Sequence, residues 1–418
     1  MDKIRKTAYD FLRKTEQYTK TDMVYLTKGG FWLTLGQFVA SLSALILSIA
    51  FANLVPMETY GLYKYVLSVF PILAIFTLSG MGTATTRAVA RDYLGTVQQS
   101  VRTKISWSVV GAIGALGLAL YYFLTQGNFV LASSFCIVAI FLPFFETFGI
   151  YDSLLQGKKN FRRSIKFFSV SQLIAMATML TALLLTDNLI LILLAYFLPW
   201  TLVRIIFFKL TIRSYQLNNT IDPEAKEYGY HLSVMGVLST IANYLDRIIV
   251  YHFMGAVALA QYAVAVAPVD QMRSLISRGT SILSFPKFAQ KTALELKSSV
   301  YKHSQKIFWV AVIVTILYAA GAYWLFALLF PKYLAVVPYS ILYVLTLLPL
   351  NYSLANTALS SYGAKHELYI FNTSSAIFQI ITVVIGVWLA GIWGLIIARI
   401  ISKFFDWLVS SLLVKNLV

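Results

Sequence analysis

Apolar runs of membrane-spanning length recur along the whole chain, and no other feature constrains its fold as strongly. A helix needs about 20 apolar residues to cross the hydrocarbon core of a bilayer, and about twelve stretches reach that length. They cover residues 30–55, 60–84, 105–124, 129–155, 165–185, 189–212, 230–253, 257–283, 307–330, 335–359, 368–390 and 392–413. Hydrocarbon offers no hydrogen-bond partner to a bare backbone, so segments of this length span as helices. The expectation is an all-α polytopic membrane protein whose first partner is the lipid bilayer.

Composition agrees. The chain is 59% hydrophobic and 12% charged, with mean hydropathy +0.73. Soluble globular chains carry about 25% charged residues. At half that fraction there is too little charge to coat a water-facing surface.

The remaining charge is lopsided, with 34 Lys and Arg against 17 Asp and Glu, for a formal net charge of +17. The basic residues fall in short clusters between apolar runs. They are Arg87, Arg91, Arg102 and Lys104; Lys158, Lys159, Arg162, Arg163 and Lys166; Arg213 and Lys226; and Lys287, Lys291, Lys297, Lys302 and Lys306. The alternate loops around Pro56, Gly127, Asp187, Gly255 and Gly391 carry none, and the one near Lys332 carries one. This is the positive-inside pattern, and it places both termini in the cytoplasm. No basic segment is long enough to fold as its own domain, so nucleic acid is not an expected partner.

The first 29 residues form a basic leader, and the apolar run that follows is too long for a cleavable signal. Ile4, Ala8, Phe11, Leu12 and Tyr18 fall on one helical face, so the leader is expected to lie on the cytoplasmic membrane surface. The longest polar break, 214–229, contains Asp222-Pro223, an N-cap followed by a first-turn proline. The expected organisation is a leader (1–29), an N-terminal six-helix lobe (30–213), a cytoplasmic linker (214–229) and a C-terminal six-helix lobe (230–418).

The lobes read as repeats. Leu142-Pro143 in span 4 matches Leu348-Pro349 in span 10, Tyr63 matches Tyr262, and Pro71 in span 2 matches Pro268 in span 8. Paired six-helix repeats with a site between them are a transporter design. Pro71, Pro143, Pro199, Pro268 and Pro349 sit inside even-numbered spans. Each bends its helix, either as a tolerated kink or as the wall of a cavity.

Enzyme chemistry finds little support. The single cysteine, Cys136, and four scattered histidines make no metal set, and there is no GxxxxGK[ST] loop. Outward loops of a few residues leave no room for a catalytic domain. No cofactor and no metal are expected, and the chain is not expected to be an enzyme. Gly80-Met81-Gly82 reads as close helix packing rather than a phosphate cradle.

Ionisable residues at membrane depth normally face protein or a water-filled cavity. Span 7 carries Asp246-Arg247, span 8 carries Asp270, Arg273 and Arg278, and span 4 carries Glu146. Asp270 and Arg273 are spaced to pair on one face. Arg399, Lys403 and Asp406 form a stripe on span 12 that reads as a closed ion network. Arg87, Arg204 and Arg278 near cytoplasmic ends, and Lys64 near the outer end, either snorkel or reach a cavity.

Several stretches resemble a known family. Tyr60-Gly61-Leu62-Tyr63, Leu78-Ser79-Gly80-Met81-Gly82 and Ala90-Arg91 look like the first helix pair of the multidrug/oligosaccharidyl-lipid/polysaccharide exporter superfamily. Within it, Leu155-Gln156-Gly157-Lys158-Lys159-Asn160-Phe161, Asp246-Arg247-Ile248-Ile249, Gln261-Tyr262-Ala263-Val264-Ala265, Phe285-Pro286 and Gly391-Ile392-Trp393-Gly394 resemble the Wzx-type oligosaccharide-lipid flippases. The resemblance implies a V-shaped pair of six-helix lobes in a bacterial cytoplasmic membrane. It implies alternating access that moves an undecaprenyl-diphosphate-linked oligosaccharide to the outer leaflet, for O-antigen, capsule or exopolysaccharide. A polysaccharide polymerase and a chain-length regulator would be partners.

The residues suit such a cargo. Arg247, Arg273 and Arg278, with Arg87 and Lys64, are candidates for the diphosphate, because an anionic headgroup at membrane depth needs cations. Asn351 and Asn356, with Thr357, Ser360 and Ser361, are candidates for sugar hydrogen bonds. Asp246, Asp270 and Glu146 are candidates for proton or sodium coupling. Two other readings stay open: a cation-coupled multidrug antiporter on the same fold, and a membrane-embedded glycan-modifying enzyme or polymerase.

Overall fold

The computed structural model describes residues 23–288 and 292–417, and the leader residues expected on the membrane surface lie outside them. Among the described residues every regular element is helical, and ten segments are long and apolar enough to cross a membrane. Two of the ten are double. The helix Ala225–Phe288 has 64 residues. At 1.5 Å per residue it would be roughly 96 Å long, about three times a bilayer core of ~30 Å. It turns back at Gly255, whose φ of 84° and ψ of 179° are not helical. Tyr262 then reaches Asp246 across the turn, the hydroxyl 2.8 Å from the carboxylate. Lys365–Lys415 turns in the same way at Ala390 and Gly391. With these two hairpins divided, the count of crossings agrees with the sequence expectation.

Several even-numbered spans are broken rather than merely bent. Span 2 runs as Met57–Leu73, a 3-10 turn Ala74–Thr77, and Gly80–Ala90, with Leu78 left-handed between them at φ 56°. Span 4 breaks at Phe148–Ile150, five residues beyond Pro143. Span 10 carries a 3-10 stretch over Val344–Asn351 with Pro349 out of helical geometry. Each proline lacks a backbone donor and so removes one helical hydrogen bond, to the carbonyl four residues before it. Lys104, buried in span 3, donates to the Leu78 carbonyl at 3.4 Å. Spans 6 and 8 keep Pro199 and Pro268 inside continuous helices, so Pro268 does not reproduce the break near Pro71.

Spans 1–6 pack among themselves, as do spans 9–12 with the span 7–8 hairpin. Substantial contact between the two groups runs through that hairpin. Span 2 lies along span 7 and touches it at both ends. At the end away from the basic loops, Gly61 packs against Ala256, where an added Cβ would stand 1.8 Å from the Ala256 carbonyl oxygen. Tyr65 stacks on Tyr251, ring centroids 3.9 Å apart, and Lys332 donates to the Asn53 carbonyl at 2.7 Å. At the basic end, Gly80 packs on the span 7 backbone, its N–H donating to the Ser233 hydroxyl at 3.0 Å. The close-packing reading of Gly80 therefore holds.

The chain between the halves is shorter than expected. Helix continues to Tyr215 and resumes at Ala225. The stretch between is tied down rather than slack. Asn218 Oδ1 accepts from the N–H groups of Leu94 and Gly95 at 3.0 and 3.2 Å, and the buried Asp222 N–H donates to Thr96. Asp222 also accepts from the Glu224 N–H at 3.0 Å, the turn expected of an Asp-Pro helix start.

Candidate functional site: a cavity between the two halves

The broken stretch of span 2 and the helical stretch of span 7 diverge between their two points of contact. The gap is a cavity of about 520 Å³, within the roughly 300–1,000 Å³ typical of small-molecule sites. The first half lines it with Lys64, Pro71, Thr77, Glu146 and Tyr196, and the second half with Ser233, Thr240, Tyr244 and Arg247. Pro71 lines the wall together with Ala74 and Thr77 of the 3-10 turn that follows it. A neighbouring pocket of about 230 Å³, lined by Lys104, Glu146 and Arg204, shares Ser79 and Glu146 with the main cavity.

Three of the candidates read from the sequence thus meet: Lys64, Arg247 and Glu146. Their charges are unequally compensated. Glu146 lies 3.7 Å from Arg204, which also stacks on Phe145 and Trp200 and so does not snorkel. Lys64 and Arg247 form no ion pair among the described residues. Each contacts an aromatic ring instead, Lys64 over Tyr60 at 5.3 Å and Arg247 over Tyr244 at 5.6 Å. The cavity therefore presents, from each half, one cation that forms no ion pair among the described residues.

The other candidates stand elsewhere. Asp246 is buried inside the second half, 3.5 Å from Arg399 and hydrogen-bonded by Tyr262. Arg399 thus leaves the span 12 stripe, in which Lys403 and Asp406 pair at 2.7 Å. Arg273 pairs with Asp270 at 2.9 Å and also donates to Thr346 and, at 3.4 Å, to Tyr343. Tyr343 donates to Asp270 in turn, at 2.9 Å. These four groups form a network within the second half, apart from the residues lining the cavity. Arg278 donates to Gln37 of span 1, where the halves meet at the basic end. Arg87 pairs with Glu224 at 3.1 Å on the surface of that end and stacks on Tyr228. Asn351 and Asn356 each keep a buried side-chain oxygen without a hydrogen-bond partner among the described residues, and Asn351 lines a different cavity.

Sequence reading missed the hydroxyl and aromatic part of the wall, Thr240, Tyr244 and Tyr196. Tyr244 was in reach, being one turn before Ile248 and three residues before Arg247 on the same helix. Nothing in the sequence marked Glu224 as the partner of Arg87.

Comparison with known proteins places the fold and the family. An uncharacterized membrane protein of Methanocaldococcus jannaschii is 23% identical over 74% of this chain and 68% of its own length. Among solved structures, the lipid II flippase MurJ in an inward closed conformation superposes with a TM-score of 0.67 at 13% identity, covering 91% of this chain and 87% of that one. An inward-facing multidrug-resistance MATE transporter of the MOP superfamily gives 0.59 at 13% identity, covering 91% and 94%. A MOP-superfamily transporter from Pyrococcus furiosus, described as having a binding pocket of reverse polarity, gives 0.54 at 14% identity, covering 94% and 95%. These likenesses show that the chain shares the fold of those transporters. The model of the polysaccharide biosynthesis protein family matches residues 26–292, well over half of the chain, and the protein belongs to that family.

Proposed function

We propose that the protein is a flippase that carries a polyprenyl-diphosphate-linked oligosaccharide from the cytoplasmic to the outer leaflet by alternating access. Undecaprenyl diphosphate is the carrier we assign, in a bacterial cytoplasmic membrane with both termini inside. The observation that carries the reading is the pair of cations without a direct ion pair among the described residues, Lys64 and Arg247, one on each side of the inter-lobe cavity. A free cation at membrane depth is costly unless a ligand of opposite sign completes it. A diphosphate does so, with Arg247 offering a planar fork and Lys64 a point charge. The hydroxyls of Ser233 and Thr240 and the rings of Tyr196 and Tyr244 supply polar and apolar contacts for sugars. A cationic drug meets the wrong sign here, because the one cavity carboxylate, Glu146, already has Arg204 beside it.

Contact between the halves at both ends describes a closed state, and export requires each end to part in turn. The direct test is headgroup exposure of a fluorescent lipid-linked sugar in liposomes containing the purified protein. Losing one partner of a desolvated charge contact costs about 2–5 kcal/mol. Arg247→Ala and Lys64→Ala are each expected to slow flipping by roughly 30-fold or more, and Arg247→Lys to retain part of the activity. Full activity in both alanine variants would remove the diphosphate from this cavity.

A further inference from the structure

A second, larger cavity lies outside the path between the halves. It is a groove of about 820 Å³ on the second half, between span 9 and span 12, with Asn351 of span 10 in its lining. Spans 9 and 12 flank it without packing substantially on each other. Its chemistry is graded along its length. Lys297 and Lys415 stand where both helices meet the basic face, and neither pairs with a carboxylate among the described residues. Trp407, about two turns deeper than Lys415, and Trp309, about three turns deeper than Lys297, form apolar walls from opposite helices. Asn351, only 7% exposed, keeps its side-chain oxygen unpartnered beside the groove.

We propose that this groove binds an anionic phospholipid of the cytoplasmic leaflet, of the phosphatidylglycerol class. Cations at the mouth and aromatic walls within match an amphiphile whose phosphate sits at the basic face and whose chains point into the bilayer. A zwitterionic lipid brings its own cation to the two lysines and lacks this complementarity. The inference requires the basic loops to face the cytoplasm. It does not require the transport reading, since the groove shares no lining residue with the inter-lobe cavity.

The test uses the full chain in nanodiscs with brominated lipids, which quench nearby tryptophan. Brominated phosphatidylglycerol is expected to quench Trp309 and Trp407 more than brominated phosphatidylcholine at equal mole fraction. Two lysines at about 1 kcal/mol each correspond to an enrichment of roughly 30-fold. The excess should vanish in Lys297→Gln/Lys415→Gln and in Trp309→Phe/Trp407→Phe. Equal quenching by both lipids in the wild type overturns the proposal, and that comparison stands even if a variant misfolds. So does an excess that survives removal of the two tryptophans, because it then arises elsewhere. Displacement of the bromolipid by a lipid-linked diphosphate sugar also overturns it, by showing that the groove serves the cargo.

Discussion

Gly61 tests whether the contact between spans 2 and 7 is a gate. A Cβ there would stand 1.8 Å from the Ala256 carbonyl oxygen, and ordinary contact begins near 3.4 Å, so the backbones must part by about 1.6 Å. The obstruction is backbone, not the end of a flexible side chain, so it yields only by moving one half against the other. Overpacking a close contact costs about 1–3 kcal/mol. If only the closed state bears that cost, opening at the outer end gains roughly 5- to 150-fold in equilibrium. The assay is a spin-label distance between Leu54→Cys and Val257→Cys, both exposed at that end on opposite halves, with the free Cys136 replaced. Gly61→Val should add a population at longer distance. Gly80→Val, which meets Ser233 N at 2.6 Å near the basic end, should leave this distance short. A folded Gly61→Val protein with the wild-type distribution would refute the gate.

Two charge pairs inside the second half give the remaining predictions. Removing one member of a buried pair costs about 3–5 kcal/mol, whereas replacing both by apolar groups is often neutral. Asp246→Ala should therefore lower the melting temperature in detergent strongly, and Asp246→Leu/Arg399→Met should recover most of the loss; a double variant as unstable as the single would refute the paired-charge reasoning. Asp270→Asn/Arg273→Gln should flip lipid-linked sugar at near wild-type rate, because the Tyr343 and Thr346 contacts hold these groups within the lobe; an inactive double variant that remains folded would place Arg273 on the substrate.

Most of the fold was legible because the bilayer leaves few choices. Length and hydropathy fix where helices cross, and the lysine and arginine asymmetry gives an orientation. Even the two hairpins without polar loops were readable, since a continuous apolar stretch far longer than a bilayer must turn, and Gly255 and Gly391 were the residues available. What sequence did not reveal was which prolines break their helices. Pro71 and Pro268 occupy matching positions, yet span 2 opens after Pro71 and span 8 stays helical through Pro268. The difference lies in the neighbours. The Leu78 carbonyl after the span 2 break accepts from the Met81 N–H at 3.0 Å and from the buried Lys104 at 3.4 Å, and Lys104 comes from span 3, beyond the reach of any local pattern.

The site was legible as a set of charges but not as a set of pairs. A charge at membrane depth announces a site only if its partner is not already in the protein, and partners in this fold come from distant spans. Asp246 and Arg247 are adjacent in sequence yet have opposite fates. A helix turns by about 100° per residue, so Asp246 faces span 12 and meets Arg399 while Arg247 faces the cavity. Asp270 and Arg273, spaced to share a face, satisfy each other. Glu146 finds Arg204 two spans away. Each acidic candidate is thereby assigned a cation. Lys64 and Arg247 are the basic candidates lining the cavity that are left over. That remainder, rather than the total charge of the chain, gives the cavity its sign and makes an anionic headgroup the cargo to test first.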